Sequence, residues 1–132
     1  MATKLKLSQD NSTKLQFLSN RLDLRRNLVL RMAFCYCLKE PNIIFDNEVD
    51  SNGLEFNRVT ITGKYDSVFR LLLCEKEKRL ILDEEFFPHV FKAYLEKGIE
   101  LLYAEYMKIN SPGEFLQHIL TGQGTQAKLP EN

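Results

Sequence analysis

Residues 27–38, NLVLRMAFCYCL, decide how this chain folds. Between Leu28 and Leu38 the only charged residue is Arg31, so a helix through this stretch has no wide polar face to offer to water. The stretch is also too short to cross a bilayer, which takes about 20 apolar residues. The helix must therefore be covered by protein, either by the rest of the fold or by other copies of the chain.

The residues before this helix predict a strand and a first helix. Residues 3–7 alternate between polar and leucine side chains, which is typical of a short strand. Polar residues 8–12 can cap a helix, and leucines then recur at helical spacing as far as Leu22. Pro41 ends the apolar helix. Strand, helix, short turn and helix follow one another in a ribbon-helix-helix unit, where strands from two chains pair and the second helices pack across the dimer axis.

Pairing of two chains would explain both a lone strand and an over-apolar helix. A strand of five residues cannot stand alone as a sheet edge, and the helix needs cover on nearly every side. We therefore expect at least a dimer and favour a tetramer. The predicted oligomer interface consists of apolar side chains of the second helix: Leu28, Leu30, Met32, Ala33, Phe34 and Tyr36.

The rest of the chain predicts a mainly α fold, with a further helical bundle and one short strand or hairpin near residues 56–62. The longest helix is expected over residues 83–109, where Gly98 interrupts an apolar stripe and predicts the close approach of another backbone. A short helix over 114–121 is expected to turn four apolar side chains inward: Phe115, Leu116, Ile119 and Leu120. We expect one oligomerisation domain over residues 1–121, which also carries the candidate ligand-binding cations considered next, and a disordered tail over 122–132.

The net charge of zero hides a strong asymmetry along the chain. Residues 1–39 carry eight Lys and Arg against two acids, a net charge of +6, so the remainder carries −6. Several cations on one surface can neutralise DNA phosphates and release their counterions; the alternative is a solvated basic surface without a ligand. The candidates for DNA contact are Lys4, Lys6, Lys14, Arg21, Arg25 and Arg26. Because few amides accompany them, contact with the DNA backbone is favoured over base reading.

No pattern typical of an active site occurs in the sequence. Cys35, Cys37 and Cys74 lack the spacing of a zinc site or a disulfide framework, and we interpret them as reduced core residues of a cytoplasmic protein. Neither a glycine-rich phosphate loop nor an HExxH metal motif is found. Glu85 and His89 stand one helical turn apart, but a third metal ligand is not evident. We therefore assign no catalytic residue, metal site or cofactor, and predict no membrane span.

Three separated blocks of the chain resemble the DNA sulfur modification protein family DndE. They are residues 21–38, residues 53–66 and residues 94–102, YLEKGIELL, within a resemblance that extends over residues 15–105 or so. The chain departs from the family pattern in the first turn, where Asp23 and the Arg25-Arg26 pair replace a glycine and a threonine-proline pair. This departure adds positive charge where the second helix begins.

The resemblance implies a component of the DNA phosphorothioation machinery, in which sulfur replaces a non-bridging oxygen of the DNA backbone. Because the chain has no motif for sulfur donation or nucleotide activation, the implied role is to bind double-stranded DNA, with a preference for nicked duplex, and to adapt other sulfur-modification proteins to it. Two alternatives stay open: a metal-dependent DNA nickase that uses Glu85 and His89, and an assembly adaptor that does not bind DNA. The acidic residues 40–132 are predicted as the surface for partner proteins and for the other subunits of a homotetramer.

Overall fold

Helices dominate the fold, as the sequence predicts. The structure, a computed structural model, describes residues 2–45 and 48–121, so the predicted disordered tail over 122–132 lies outside the described residues. The elements are β1 (Lys4–Lys6), α1 (Gln9–Leu22), α2 (Arg26–Leu38), β2 (Glu55–Asn57), α3 (Arg58–Thr62), α4 (Asp66–Glu77), the single turn α5 (Asp83–Glu85), α6 (Phe91–Ile109) and α7 (Pro112–Thr121). Within the described residues, no helix is both long and apolar enough to span a bilayer.

The N-terminal strand finds its partner within the same chain. β1 pairs antiparallel with β2, with Leu5 opposite Phe56, and backbone hydrogen bonds extend the pairing to Leu7 and Thr3. The order strand, helix, helix is therefore confirmed, but the ribbon-helix-helix prediction that β1 pairs with a second chain is wrong. β2 comes well after α2 in the sequence, but it folds back beside β1 and supplies the backbone hydrogen bonds that the prediction assigned to a second chain.

The strand predicted near 56–62 is shorter than expected. β2 ends at Asn57, and the β-branched residues that follow form α3. Their conformation is set by tertiary burial, because Ile61 and Thr62 both lie in the interior and the Thr62 hydroxyl donates to the Arg58 carbonyl, one turn earlier. Packing thus overrides the intrinsic strand preference of this short segment.

The apolar helix α2 is covered mainly by α6 of its own chain, the most extensive contact between any two elements. The prediction that Leu30, Ala33 and Phe34 lie in an oligomer interface is wrong, because all three are fully buried within one chain. Leu28, by contrast, is 39% exposed, and Met32 and Tyr36 are half-buried. Arg31, the charged residue within the apolar stretch, is accommodated because its Nε donates to the Ile61 carbonyl at 2.6 Å.

Gly98 lies where α6 crosses α2. A Cβ atom at this position would overlap the carbonyl group of Ala33 on α2. The predicted close approach of another backbone at Gly98 is therefore confirmed.

The longest helix starts later than the sequence indicates. α6 begins at Phe91 and not near residue 83, because the chain leaves helical geometry at Phe87, with φ −124° and ψ 123°, before a cis peptide to Pro88. Phe86 and Phe87 instead bury their rings in the core. In α7, Phe115 is buried as predicted, but Leu120 is 84% exposed, so its predicted inward orientation is wrong.

Candidate nucleic-acid interface

The six cations predicted to contact DNA follow the length of α1. Lys4 and Lys6 stand on β1, just before α1, and border one cleft. Lys4 pairs with Glu55 across the two strands at 3.4 Å, and both side chains of this pair are well exposed. An exposed pair of this kind contributes at most about 1 kcal/mol to stability, so Lys4 remains available to a stronger anion.

Two further cations lie in a groove between α1 and α6. The Lys14 Nζ atom is 5.4 Å from the ring centroid of Tyr103 and 3.1 Å from Asp10. The Arg21 guanidinium is 6.0 Å from the ring centroid of Tyr106 and donates to its hydroxyl at 3.4 Å. The aromatic faces hold both side chains in position, and Asp10 compensates part of the charge of Lys14.

A buried carboxylate fixes the start of α1 against α6. Glu96, only 3% exposed, accepts hydrogen bonds from the Ser8 backbone N–H at 2.7 Å and from the Ser8 hydroxyl at 2.8 Å. The Ser8 hydroxyl in turn accepts from the Asn11 backbone N–H, as an N-cap does. Because α1 meets α6 at Ser8 and again at Arg21, the two helices run parallel, and the groove between them extends along α1.

Arg25 and Arg26 lie at the far end of α1. Asp23 adopts a left-handed conformation with φ 58° and ends α1, and α2 begins at Arg26 after an extended Arg25. Both arginines are exposed. With a rise of about 1.5 Å per residue, α1 separates these arginines from the β1 lysines by about 20 Å. The structure therefore places Lys4 and Lys6 at a cleft near the start of α1. Lys14 and Arg21 lie further along α1, against Tyr103 and Tyr106 of α6, and the two arginines lie beyond its C-terminal end.

Sequence reasoning missed two cations of α6. Lys92 and Lys97 line the same cleft as Lys4 and Lys6. Charge counting placed them in the acidic part of the chain, where an average over residues 40–132 conceals them. The sequence does show that Lys92 lies one helical turn before Glu96. This spacing points to the cleft only when the contact between Glu96 and α1 is known.

The helical turn that would place Glu85 beside His89 in a nickase is interrupted. Glu85 pairs with Arg79 at 2.7 Å, and the extended backbone of Phe87 breaks the helical turn that would have aligned Glu85 with His89. Among residues 2–45 and 48–121, no three His, Cys, Asp or Glu side chains cluster closely enough to hold a metal ion.

The cysteines do not form a reactive centre. Cys37 is buried as predicted, and this burial raises the pKa of its thiol to about 12. Cys35, predicted to be a core residue, is exposed at the surface of α2, and Cys74 is half-buried. Partial burial also raises the pKa of Cys35, with Lys39 opposing the shift. Neither α2 thiol is therefore poised as a thiolate nucleophile at neutral pH.

Comparison with known proteins identifies the family. The model of the family described as DNA sulphur modification protein DndE matches residues 4–111. Among solved structures, the crystal structure of DndE from Escherichia coli B7A, described as involved in DNA phosphorothioation modification, matches with a TM-score of 0.62 and 19% identity, covering 77% of this chain and 97% of that chain. At this identity the structural likeness shows the fold alone. No curated protein matches. Because the family model spans most of its length, the chain belongs to the DndE family of DNA sulphur modification proteins.

Proposed function

We propose that this protein is the DNA-binding component of a DNA phosphorothioation system and that it contacts the phosphate backbone of duplex DNA. Membership of the DndE family places it among the proteins of DNA sulphur modification. The observation that carries the DNA-binding proposal is the row of cations from Lys6 on β1 through Lys14 to Arg21 along α1. These side chains can each neutralise a phosphate, and each contact releases condensed counterions.

Backbone recognition suits the chemistry of this row better than base recognition. Ammonium groups such as Lys6 and Lys14 bind phosphate oxygens as point charges, whereas sequence reading needs donors and acceptors aimed at base edges. Arg21 is stacked on Phe17 and Tyr106, which restricts its guanidinium to a position along the groove. The protein would therefore bind many sequences with similar affinity.

Two further parts of the proposal rest on the family relationship. One is a preference for nicked over intact duplex. The other is that other sulfur-modification proteins are its partners, with the acidic residues 40–132 as the contacting surface. A cytoplasmic location, where both DNA and reduced cysteines are found, completes the proposal.

The decisive experiment is a titration of labelled intact and nicked duplex at two salt concentrations. We expect binding at low salt, weaker binding at high salt, and tighter binding of the nicked duplex. Binding that is undetectable at low salt, or that does not weaken with salt, would reject the proposal and leave the assembly adaptor. Cleavage of supercoiled DNA that requires magnesium and is lost in His89→Ala would instead establish a nickase.

Reversing the charge of the β1 lysines is expected to weaken DNA binding without unfolding the protein. Lys4→Glu combined with Lys6→Glu removes two phosphate contacts, so the slope of log K against log salt should fall by about 1.8 and the affinity by at least about 10-fold. Fluorescence anisotropy measures both quantities. The matched control is Lys64→Glu with Lys108→Glu, two exposed lysines with the same change in net charge. Equal effects of the two double variants would remove β1 from the DNA-binding surface.

We also propose that the protein self-associates, as a homotetramer. Several apolar side chains remain exposed on a single chain. On the outer face of α4 these are Val68 (48%), Leu71 (65%) and Leu72 (40%), with Tyr65 (47%) immediately before the helix, and on α2 Leu28 is exposed. Exposed apolar groups that recur on one helix face are typical of subunit contacts.

Charge on the α4 face is expected to reduce the assembly. Leu71→Glu should lower the mass measured by light scattering below that of four chains, because a carboxylate would be buried without a partner in the contact. Leu28→Glu tests the α2 surface in the same way. A wild-type protein with the mass of one chain, or two variants that keep the wild-type mass, would contradict self-association through these faces.

A further inference from the structure

The cleft between β1 and the first turns of α6 collects more positive charge than the sequence indicates. It encloses about 390 Å³, and its basic lining comes from two elements far apart in the chain: Lys4 and Lys6 from β1, and His89, Lys92 and Lys97 from the segment that leads into α6 and from α6 itself. This space is sufficient for one phosphate group with its remaining water, since water occupies about 30 Å³ per molecule.

The acids of this cleft are already engaged. Both oxygens of Glu96 accept hydrogen bonds from Ser8, and the residue is buried. Glu100 faces Lys97 at 3.7 Å. The donors to Glu96 are neutral, so this carboxylate keeps its charge. The lining nevertheless has four lysines against two carboxylates, a net charge of +2.

Two lysines of the cleft, Lys6 and Lys92, form no ion pair with a described residue. In the part of the chain that the structure describes, no carboxylate lies within 4.0 Å of the ammonium group of Lys6 or Lys92. Lys92 is nevertheless held in place, since its Nζ donates to the Asp50 carbonyl at 3.1 Å and to the Ser51 hydroxyl at 2.7 Å. These acceptors are neutral and leave the third proton of Lys92 for an anion. The pKa of the Asp50 carboxyl is lowered chiefly by the Asn52 backbone hydrogen bond and also by the charge of Lys92, so this carboxylate compensates Lys92 in part.

We infer that this cleft binds one backbone phosphate of DNA, between Lys6 and Lys92, so that the DNA surface continues from the N-terminal unit onto α6. The inference rests on the proposed DNA binding and adds a residue that the charge pattern of the sequence places in the acidic part of the chain. The cleft lies at the β1 end of α1, about 20 Å from Arg25 and Arg26. That span corresponds to about six phosphates at 3.4 Å of helix axis per phosphate on one strand.

The test compares Lys92→Gln with wild-type protein in a salt titration of duplex binding by fluorescence anisotropy. Glutamine keeps a donor for the Asp50 and Ser51 acceptors but removes the charge. We expect about 3- to 10-fold weaker binding at low salt and a salt slope that is smaller by about 0.9, the contribution of one phosphate contact. Lys92→Arg keeps the charge and should therefore keep the wild-type affinity and salt slope. If Lys92 only held Asp50 and Ser51 in place, affinity and slope would not depend on whether residue 92 is charged.

Lys108→Gln is the matched control. Lys108 is on the same helix, its side chain is 74% exposed and its partner is Glu105 one turn away. Five residues beyond Tyr103, it projects from a different face of the helix than the groove does. Wild-type affinity and slope in Lys92→Gln would overturn the cleft as a phosphate site while leaving DNA binding intact. Absence of binding by the wild-type protein would overturn both this inference and the proposed function.

Discussion

Replacing Gly98 with alanine is expected to destabilise the protein by about 2 kcal/mol or more, although alanine is the better helix former. Helix propensity alone predicts a gain of about 1 kcal/mol for this change in a helix interior. However, the new Cβ would overlap the carbonyl of Ala33, and backbone on a packed helix cannot move aside as a flexible side chain can. Overpacking of this kind typically costs about 1–3 kcal/mol and occasionally more. Here α2 and α6 would have to separate along their main contact.

Urea denaturation measures this effect directly, and the chain offers a matched control. Gly113, in the first turn of α7, has no atom within 4 Å of the position that a Cβ would take, so Gly113→Ala should leave the midpoint unchanged or raise it slightly. We expect the Gly98→Ala midpoint to fall by a large fraction of the wild-type value. A urea midpoint that rises in both variants would mean that α2 and α6 can accommodate a methyl group at position 98. The close approach of the two helices would then not require glycine.

Removal of Arg58 is expected to have a comparable effect. Its guanidinium binds Asp66 with two hydrogen bonds, at 2.8 and 2.7 Å, and Asp83 with two more, at 3.3 and 2.6 Å. It also lies 5.3 Å from the ring centroid of Phe86 and 5.0 Å from that of Phe87. Arg58→Met keeps much of the side-chain volume but leaves two carboxylates facing each other. Because the aspartates are partly exposed, we expect a loss of about 2 kcal/mol, less than for a fully buried pair.

The loss should depend on pH in a defined direction. Hydrogen bonds from Arg58 lower the pKa of Asp66 and Asp83, so the folded state favours their ionised forms. Their contribution is complete above the unfolded pKa of about 3.9 and is lost as the pH falls through the lower folded pKa. The stability difference between wild type and Arg58→Met should therefore be largest at neutral pH and shrink below about pH 4.

Arg79→Met provides the comparison. Arg79 also bridges two acids, Glu77 and Glu85, but its side chain is 45% exposed, so its removal should cost much less stability than the removal of Arg58. Equal losses for the two arginine variants would show that the Phe86 and Phe87 rings and the partial burial of Arg58 add nothing. A pH-independent loss for Arg58→Met would show that packing, and not the ion pairs, accounts for its effect.

The candidate DNA-binding surface could be predicted only in part. The cations of the first 39 residues were visible in the sequence as an excess of positive charge. Lys92 could not be found in this way, because its significance comes from standing beside Lys6, which is 86 residues earlier. Charge averaged along the chain carries no information about such proximity.

By itself the sequence determined the mainly helical fold, the order of strand and helices at the N-terminus, the need to cover the apolar residues 27–38 with protein, the close approach at Gly98 and the resemblance to the DndE family. These follow from periodicity and residue type, which act over a few residues and decide which face of an element must avoid water. Only the tertiary structure decided that β2 pairs with β1, that α6 covers α2, and that Lys92 joins the lysines of β1. The apolar residues of a segment indicate that its surface must be covered. They do not indicate which distant segment covers it, because that depends on how the whole chain packs.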